Sequence, residues 1–274
     1  MFDSASEYPP VRRLWSDAAR QQMRVIAALI RRETRAHFGE LRLGYLWAII
    51  EPTLHLLAYV VIFTYLIRRH TPMGDSLALF MLTGMIPYFL YYKLATYLAG
   101  AIDQNRSLLN LPPVKPFDIL VSRAILESAT YLFVGFILLT CIYIDGSKDA
   151  VPSYPIRVVV PILAAGGFGF GFGVINAILR VFVRNWMTIF GLLSGPLFLL
   201  SGIWFLPSAV PPPFRDYLLY NPIMHYIMWV RSGFYRGYDP SDLDRGYAIG
   251  WSILSVILGL TLLRVARRKL LEPV

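Results

Sequence analysis

The stretch LGYLWAIIEPTLHLLAYVVIFTYLI, Leu43 to Ile67, is long and apolar enough to cross a bilayer, whose hydrocarbon core takes about 20 helical residues. It nevertheless carries Glu51, Pro52 and His55 near its middle. A charge at membrane depth costs about 3 kcal/mol on insertion scales and normally faces a bundle interior, a partner or water. Glu51 lies seven residues past Gly44, which at the helical rise places it about 10 Å along the span. Lys93 lies seven residues before Gly100 in the next apolar stretch, which runs the opposite way. The two opposite charges therefore share one depth, and we expect them to face each other or a common wet cavity. Pro52 cannot donate to the carbonyl of Ala48, so a kink is expected there, with the freed carbonyl satisfied in a packed or hydrated interior. His55, one turn after Glu51, reads as a satisfied core histidine.

Outward from this stretch the composition is that of a membrane protein. Of 274 residues, 56% are hydrophobic and 16% charged, against about 45–50% and about 25% in soluble domains. The apolar surplus is gathered into six runs: Tyr45–Ile67, Leu77–Gly100, Ile119–Ile144, Arg157–Leu179, Met187–Trp204 and Ala248–Ala266. Backbone groups in lipid must satisfy one another, and the runs lack the alternation of barrel strands, so each predicts a helix. The fold expected is an all-α membrane protein with six transmembrane helices. Residues 1–44 form a cytoplasmic N-terminus with an interfacial amphipathic helix, and residues 45–274 form one transmembrane domain. The opening residues lack a short apolar core followed by a small-residue cleavage site, so no cleaved signal peptide is expected. A single cysteine, Cys141, excludes an internal disulfide.

Charge placement decides orientation. With the N-terminus inside, the inner segments hold seventeen Lys and Arg and the outer loops eight, which sets both termini in the cytoplasm. The net charge of +9 thus reads as membrane anchoring rather than as a nucleic-acid surface. Before the first span, ARQQMRVIAALIRRETRAHF places Met23, Ile26, Ala27 and Ile30 on one face with arginines opposite, a helix lying in the interface. GAIDQNRSLLNLPPVKPFD is a short amphipathic stretch halted by Pro112 and Pro113. The segment between the fifth and sixth runs, punctuated by prolines at 207, 211–213 and 222, predicts two short amphipathic helices on the periplasmic side, re-entering the outer leaflet.

Enzymatic signatures are absent. No glycine precedes a lysine, so no phosphate-cradling G-x-x-x-x-G-K-[ST] loop exists, and the four histidines fall on different segments without H-E-x-x-H. No metal site is expected. GGFGFGFG, residues 166–173, lies inside a span and pairs Gly169 with Gly173 and Gly167 with Gly171, the small-xxx-small spacing that brings helices close. Ser194 is the first residue to test for an intramembrane nucleophile, which nothing else supports. Arg123 and Glu127, spaced i,i+4, are positioned to neutralise each other. Tyr59, Phe63, Tyr88, Tyr91, Tyr92 and Lys93 place rings and phenols deep in two spans. Aromatic faces stack on sugars while hydroxyls hydrogen-bond, so these residues with Glu51 are the substrate-channel candidates.

Three blocks carry a resemblance. HFGELRLGYLWAIIEP resembles the entry into the first span of permease subunits of type-2 ABC exporters. LPPVKPFDILVSRAILE and LSGIWFLPSAVPPPFRDYLLYNPIMHYIMWVRSGFY resemble later blocks of their capsule-polysaccharide branch, the KpsM-like proteins. The resemblance runs from about Arg31 to the C-terminus. It implies a permease in the bacterial inner membrane, acting as a homodimer with two copies of a separate ATP-binding subunit. ATP and Mg would be held by that partner, with no cofactor in this chain. It implies that Asp103, Gln104, Asn105, Arg106, Leu108, Leu109 and Asn110 couple to the ATPase, and that the helix bearing Arg24, Arg31, Arg32 and Arg35 is the interfacial gate helix. The implied cargo is a capsular polysaccharide, lipid-linked and often anionic, handed to a periplasmic co-polymerase and an outer-membrane channel. A same-fold exporter of O-antigen, teichoic acid or a small lipid or drug is the alternative.

Overall fold

A computed structural model describes residues 11–38, 43–63, 71–110 and 112–271, and every regular element in them is helical. In chain order these are α1 (Val11–Phe38), α2 (Leu43–Val61), α3 (Leu77–Tyr97), α4 (Ala101–Gln104), α5 (Pro116–Ile144), α6 (Ile156–Phe182), α7 (Trp186–Leu199), α8 (Phe214–Leu218), α9 (Pro222–Phe234) and α10 (Arg245–Leu271).

Local chemistry sets several helix starts. Ser76 accepts from the Leu79 amide and opens α3. Pro116 stands at the first position of α5, where Asp118 accepts from the Lys115 amide. The Asn221 side chain accepts from the Ile223 amide just before Pro222 opens α9. At the far end α3 runs without a break through a 3-10 turn (Leu98–Gly100) into α4, and a second such turn covers Arg106–Asn110.

Four described segments are long and apolar enough to cross a membrane: Leu77–Gln104, Pro116–Ile144, Ile156–Phe182 and Arg245–Arg267. They coincide with four of the six runs read from the sequence. Helix α2, 19 residues long, takes in the first run as far as Val61. Helix α7 is shorter than its run: 14 residues rise about 21 Å against a core of about 30 Å. The chain leaves α7 at Leu200 and turns at Gly202, whose φ of +80° a side chain would strain.

Helix α6 is the centre of the bundle, packed between α3 and α10, with α9 across it. The glycine pairs explain the closeness. A Cβ on Gly169 would lie 2.8 Å from the Tyr91 backbone, and one on Gly173 would lie 2.6 Å from the Leu94 carbonyl, so this pair seats α3. Gly171 faces the other way, where a Cβ would lie 2.4 Å from the backbone of Ser255 on α10, and Gly167 looks towards Ser252. The two small-residue stripes thus serve two different neighbours.

The outer connection differs from its reading. Helix α9 is not amphipathic: every residue from Ile223 to Phe234 is buried, against α6, α3 and α10. A helix that is covered all round belongs to a core rather than a leaflet surface. Its His225 is satisfied on both nitrogens. The Asp244 amide donates to Nδ1 at 3.2 Å, so Nε2 carries the hydrogen and donates to the Leu219 carbonyl at 2.8 Å. Burial holds this imidazole below its usual range, opposed by the Leu219 carbonyl, Asp244 and Asp242. The unfolded chain therefore takes the proton first, and stability at this corner falls as pH drops through the unfolded value towards the lower folded one. The protection factor of the Asp244 amide, its exchange rate corrected for the intrinsic effect of pH, is expected to fall as pH drops below the ordinary imidazole value of about 6.5. His225→Gln should remove that pH-dependent increment, and its persistence would refute the assignment.

Candidate functional site

Two groups of predicted residues are brought together, one at each half of the bundle.

The first lies where α1 packs along α5 and meets α4. Leu29 and Glu33 are buried on the side of α1 that packs on α5, with Gln22 and Val25 half-buried beside them. The apolar face read from the sequence is divided: Ile26 and Ile30 are half-buried, while Met23 is 63% exposed and Ala27 is exposed. The Met23–Ala27 edge is left outward. Arg24 and Arg31 are exposed with it, and the side chain of Arg35 lies outside the described residues.

Around Glu33 the polar groups interlock. Asn105 Nδ2 donates to Glu33 Oε1 at 2.6 Å, and Arg123 Nη1 donates to Glu33 Oε2 at 3.2 Å. Arg32 Nη1 donates to Asn105 Oδ1 at 2.7 Å, and Arg123 Nη1 also donates to Gln104 Oε1 at 2.9 Å. The Asn105 amide group holds the Ala101 carbonyl as well, at 3.1 Å. Arg123 and Glu127 do form the expected ion pair, at 3.8 Å, but Glu33 is nearer to the guanidinium. At the surface Arg180 of α6 pairs with Asp103 at 3.4 Å. Farther along, Gln22 donates to Asp118 at 2.9 Å. Leu108 and Leu109 pack on the core around Leu98, Ile119 and Val174, Arg106 is half-buried, and the side chain of Asn110 lies outside the described residues.

Glu33 and Arg180 escaped the sequence reading. A signal for Glu33 existed: it falls one turn after Leu29 on a buried stripe, where a carboxylate requires partners. Nothing in the sequence pairs Arg180 with Asp103.

The second group is a seam of rings where α2, α3 and α7 meet. Phe63 stacks on Trp204, centroids 5.0 Å apart and planes 4° apart, and Tyr59 meets the same indole edge-on at 4.4 Å. Phe198 of α7 contacts Tyr59, Tyr88, Phe89 and Trp204. Tyr92 stacks between Tyr88 and Phe190, at 6.1 and 6.4 Å. The phenols differ in setting. Tyr88 and Tyr91 are 2% exposed, and the Tyr88 hydroxyl is already spent on the Ser194 carbonyl at 2.9 Å. Tyr59, Phe63, Tyr92 and Lys93 are only half-covered, and Lys93 Nζ lies 5.4 Å over the Tyr97 ring. The Glu51 side chain, and with it the pairing with Lys93, lies outside the described residues.

Trp204 owes its position to Arg231, which is wholly buried. Its guanidinium donates to the carbonyls of Gly202 (2.7 Å), Ile203 (2.8 Å), Phe80 (3.3 Å) and Phe205 (3.4 Å), and it lies 3.8 Å over the Phe80 ring. Buried backbone outside a helix needs such donors. A lone cation inside IMWVRSGF was the sequence signal for it.

Residues 24–235 match the family model described as ABC-2 type transporter. The chain is 31% identical over 246 residues to the polysialic acid transport protein KpsM of Escherichia coli, covering 90% of this chain and 95% of that protein. It is 27% identical to the capsule polysaccharide export inner-membrane protein CtrC of Neisseria meningitidis, over 89% of this chain and 90% of that protein. The O-antigen export system permease protein RfbA of Klebsiella pneumoniae is 23% identical, over 78% and 81% of the two chains.

Proposed function

The chain belongs to the ABC-2 type transporter family, and on that premise we propose that it is the membrane permease subunit of an ATP-driven exporter of capsular polysaccharide across the bacterial inner membrane. The observation that carries this reading is the 31% identity with KpsM along 95% of that protein's length. It is a transport component rather than an enzyme, and ATP with Mg is hydrolysed on two copies of a partner ATPase.

Two copies of the chain enclose the passage, since the described helices of one protomer pack directly on one another around α6. Each protomer crosses the membrane six times, with α2 and α7 as the first and fifth spans and both termini in the cytoplasm. Helix α4 and the turn Arg106–Asn110 dock on the ATPase through the exposed Asp103 and its neighbours. The half-covered rings Tyr59, Phe63 and Tyr92 are the surfaces offered to passing sugars, with Glu51 and Lys93 near the inner end. Tyr88 and Tyr91 stand behind them as support. The chain is then handed to a periplasmic co-polymerase and an outer-membrane channel.

Affinity capture from native membranes is expected to bring down an ATPase whose turnover rises in the complex, and deletion should abolish surface capsule while leaving O-antigen intact. Loss of O-antigen with capsule retained would move the reading to the RfbA-like alternative. An unaccompanied chain, with capsule unaffected, would end it.

A further inference from the structure

We propose that Glu33 is the positioning residue that fastens α1, the segment Ala101–Asn110 and the start of α5 into one rigid unit, so that a displacement of the coupling segment is delivered directly to the interfacial helix. This rests on the coupling role proposed above for that segment.

The geometry singles out Glu33. It is 6% exposed, and its two oxygens are divided between two elements, Oε1 to Asn105 and Oε2 to Arg123. Arg123 binds back to Gln104, and Asn105 is held from α1 a second time by Arg32, which closes rings of contacts rather than a chain. Charge-assisted bonds are roughly twice as strong as neutral ones and directional, and a buried carboxylate deprived of its partners is costly. Sliding α1 against the coupling segment would therefore break several such bonds at once, whereas moving all three elements together breaks none. Among the described residues the other contacts along this face are the apolar packing of Val25 and Leu29 and the bond from Gln22 to Asp118. Arg180 on Asp103 is 41% exposed and solvent-screened, so it adds little to the apolar core that Leu98, Ala101 and Ile102 share with Val174 and Ile178 of α6. That core is not directional, whereas the bonds around Glu33 are, so the network fixes how α1 and the coupling segment sit against each other.

The test uses the full chain assembled with its ATPase, in a Cys141→Ser background because Cys141 is exposed. Spin labels at Ala28→Cys and Ser107→Cys, both exposed positions, report the separation of α1 from the coupling segment. The separation is expected to stay the same without nucleotide and when trapped with ATP and vanadate. A shift between those two states in protein with Glu33 intact would overturn the proposal, whatever any variant does. Glu33→Gln keeps the shape and removes the charge. It is expected to broaden the label separation and reduce capsule export about tenfold while ATP turnover by the complex changes less than about twofold. Unchanged export and a narrow distribution in Glu33→Gln would equally overturn it. A merely structural role would lower export and ATP turnover together, with no broadening in the material that assembles. If the unsubstituted chain captures no ATPase, the functional reading fails instead, and that result is distinct from all of these.

Discussion

Arg231→Met is expected to yield a protein that inserts but melts far below the parent in detergent. Methionine replaces the methylenes and the contact with Phe80, so little packing is lost. What disappears is the set of donors to Gly202, Ile203, Phe205 and Phe80. Relief of the buried charge offsets part of this. The guanidinium is however already held by four carbonyls through Nη1 and Nη2, with only Nε unpartnered, whereas the carbonyls of Gly202 and Ile203 would be left buried without a donor, at about 1–3 kcal/mol each. A net loss of about 3 kcal/mol corresponds to a melting temperature lower by about 6–12 °C for a chain of this size. The loop then releases Trp204, and with it the stack on Phe63 and the edge contact with Tyr59. Quenching of tryptophan emission should report that release. Arg231→Lys keeps the charge but supplies fewer donors from a single point, and should fall between the two. A Met variant with parental melting and emission would show that the loop is held by its apolar contacts alone.

Gly171→Leu should be the more damaging change, since it attacks the axis of the bundle. A Cβ alone would stand 2.4 Å from the Ser255 backbone and 2.6 Å from its carbonyl oxygen, well inside contact distance, and neither is the tip of a side chain that can swing away. Helices α6 and α10 would have to part along the line where a Cβ on Gly259 would also stand 2.9 Å from the Gly171 carbonyl. Parting them stretches the bond from Ser252 to the Ala164 carbonyl, now 2.8 Å, and unseats Tyr226, whose hydroxyl contacts both Ser252 and the Ala248 carbonyl. Overpacking costs about 1–3 kcal/mol for a methylene or two and more where backbone must move, so no folded protein is expected from Leu and a destabilised one from Ala. Gly250→Ala on α10 meets nothing within 4 Å and should be neutral or slightly stabilising, the control that separates space from helix propensity. Equal yields for Gly171→Leu and Gly250→Ala by size-exclusion chromatography would refute the packing account.

The residue order alone determined the helical class, the starts of most helices, and the glycine stripes of α6, because each follows from local periodicity, capping and the intolerance of lipid for unpaired backbone. It also put Asp103, Gln104 and Asn105 just past the end of the second apolar run, where α4 follows α3. Periodicity is a property of one element, so it could not say which side of α1 faces α5. Nor could it end α7 at Leu199, turn α9 wholly inward, or join Glu33 to residues 72 and 90 positions away. Those outcomes depend on which surfaces remain once α3, α6 and α10 have closed on one another. Burial then selects a carboxylate, a guanidinium and an amide to satisfy one another, and that selection exists only in three dimensions.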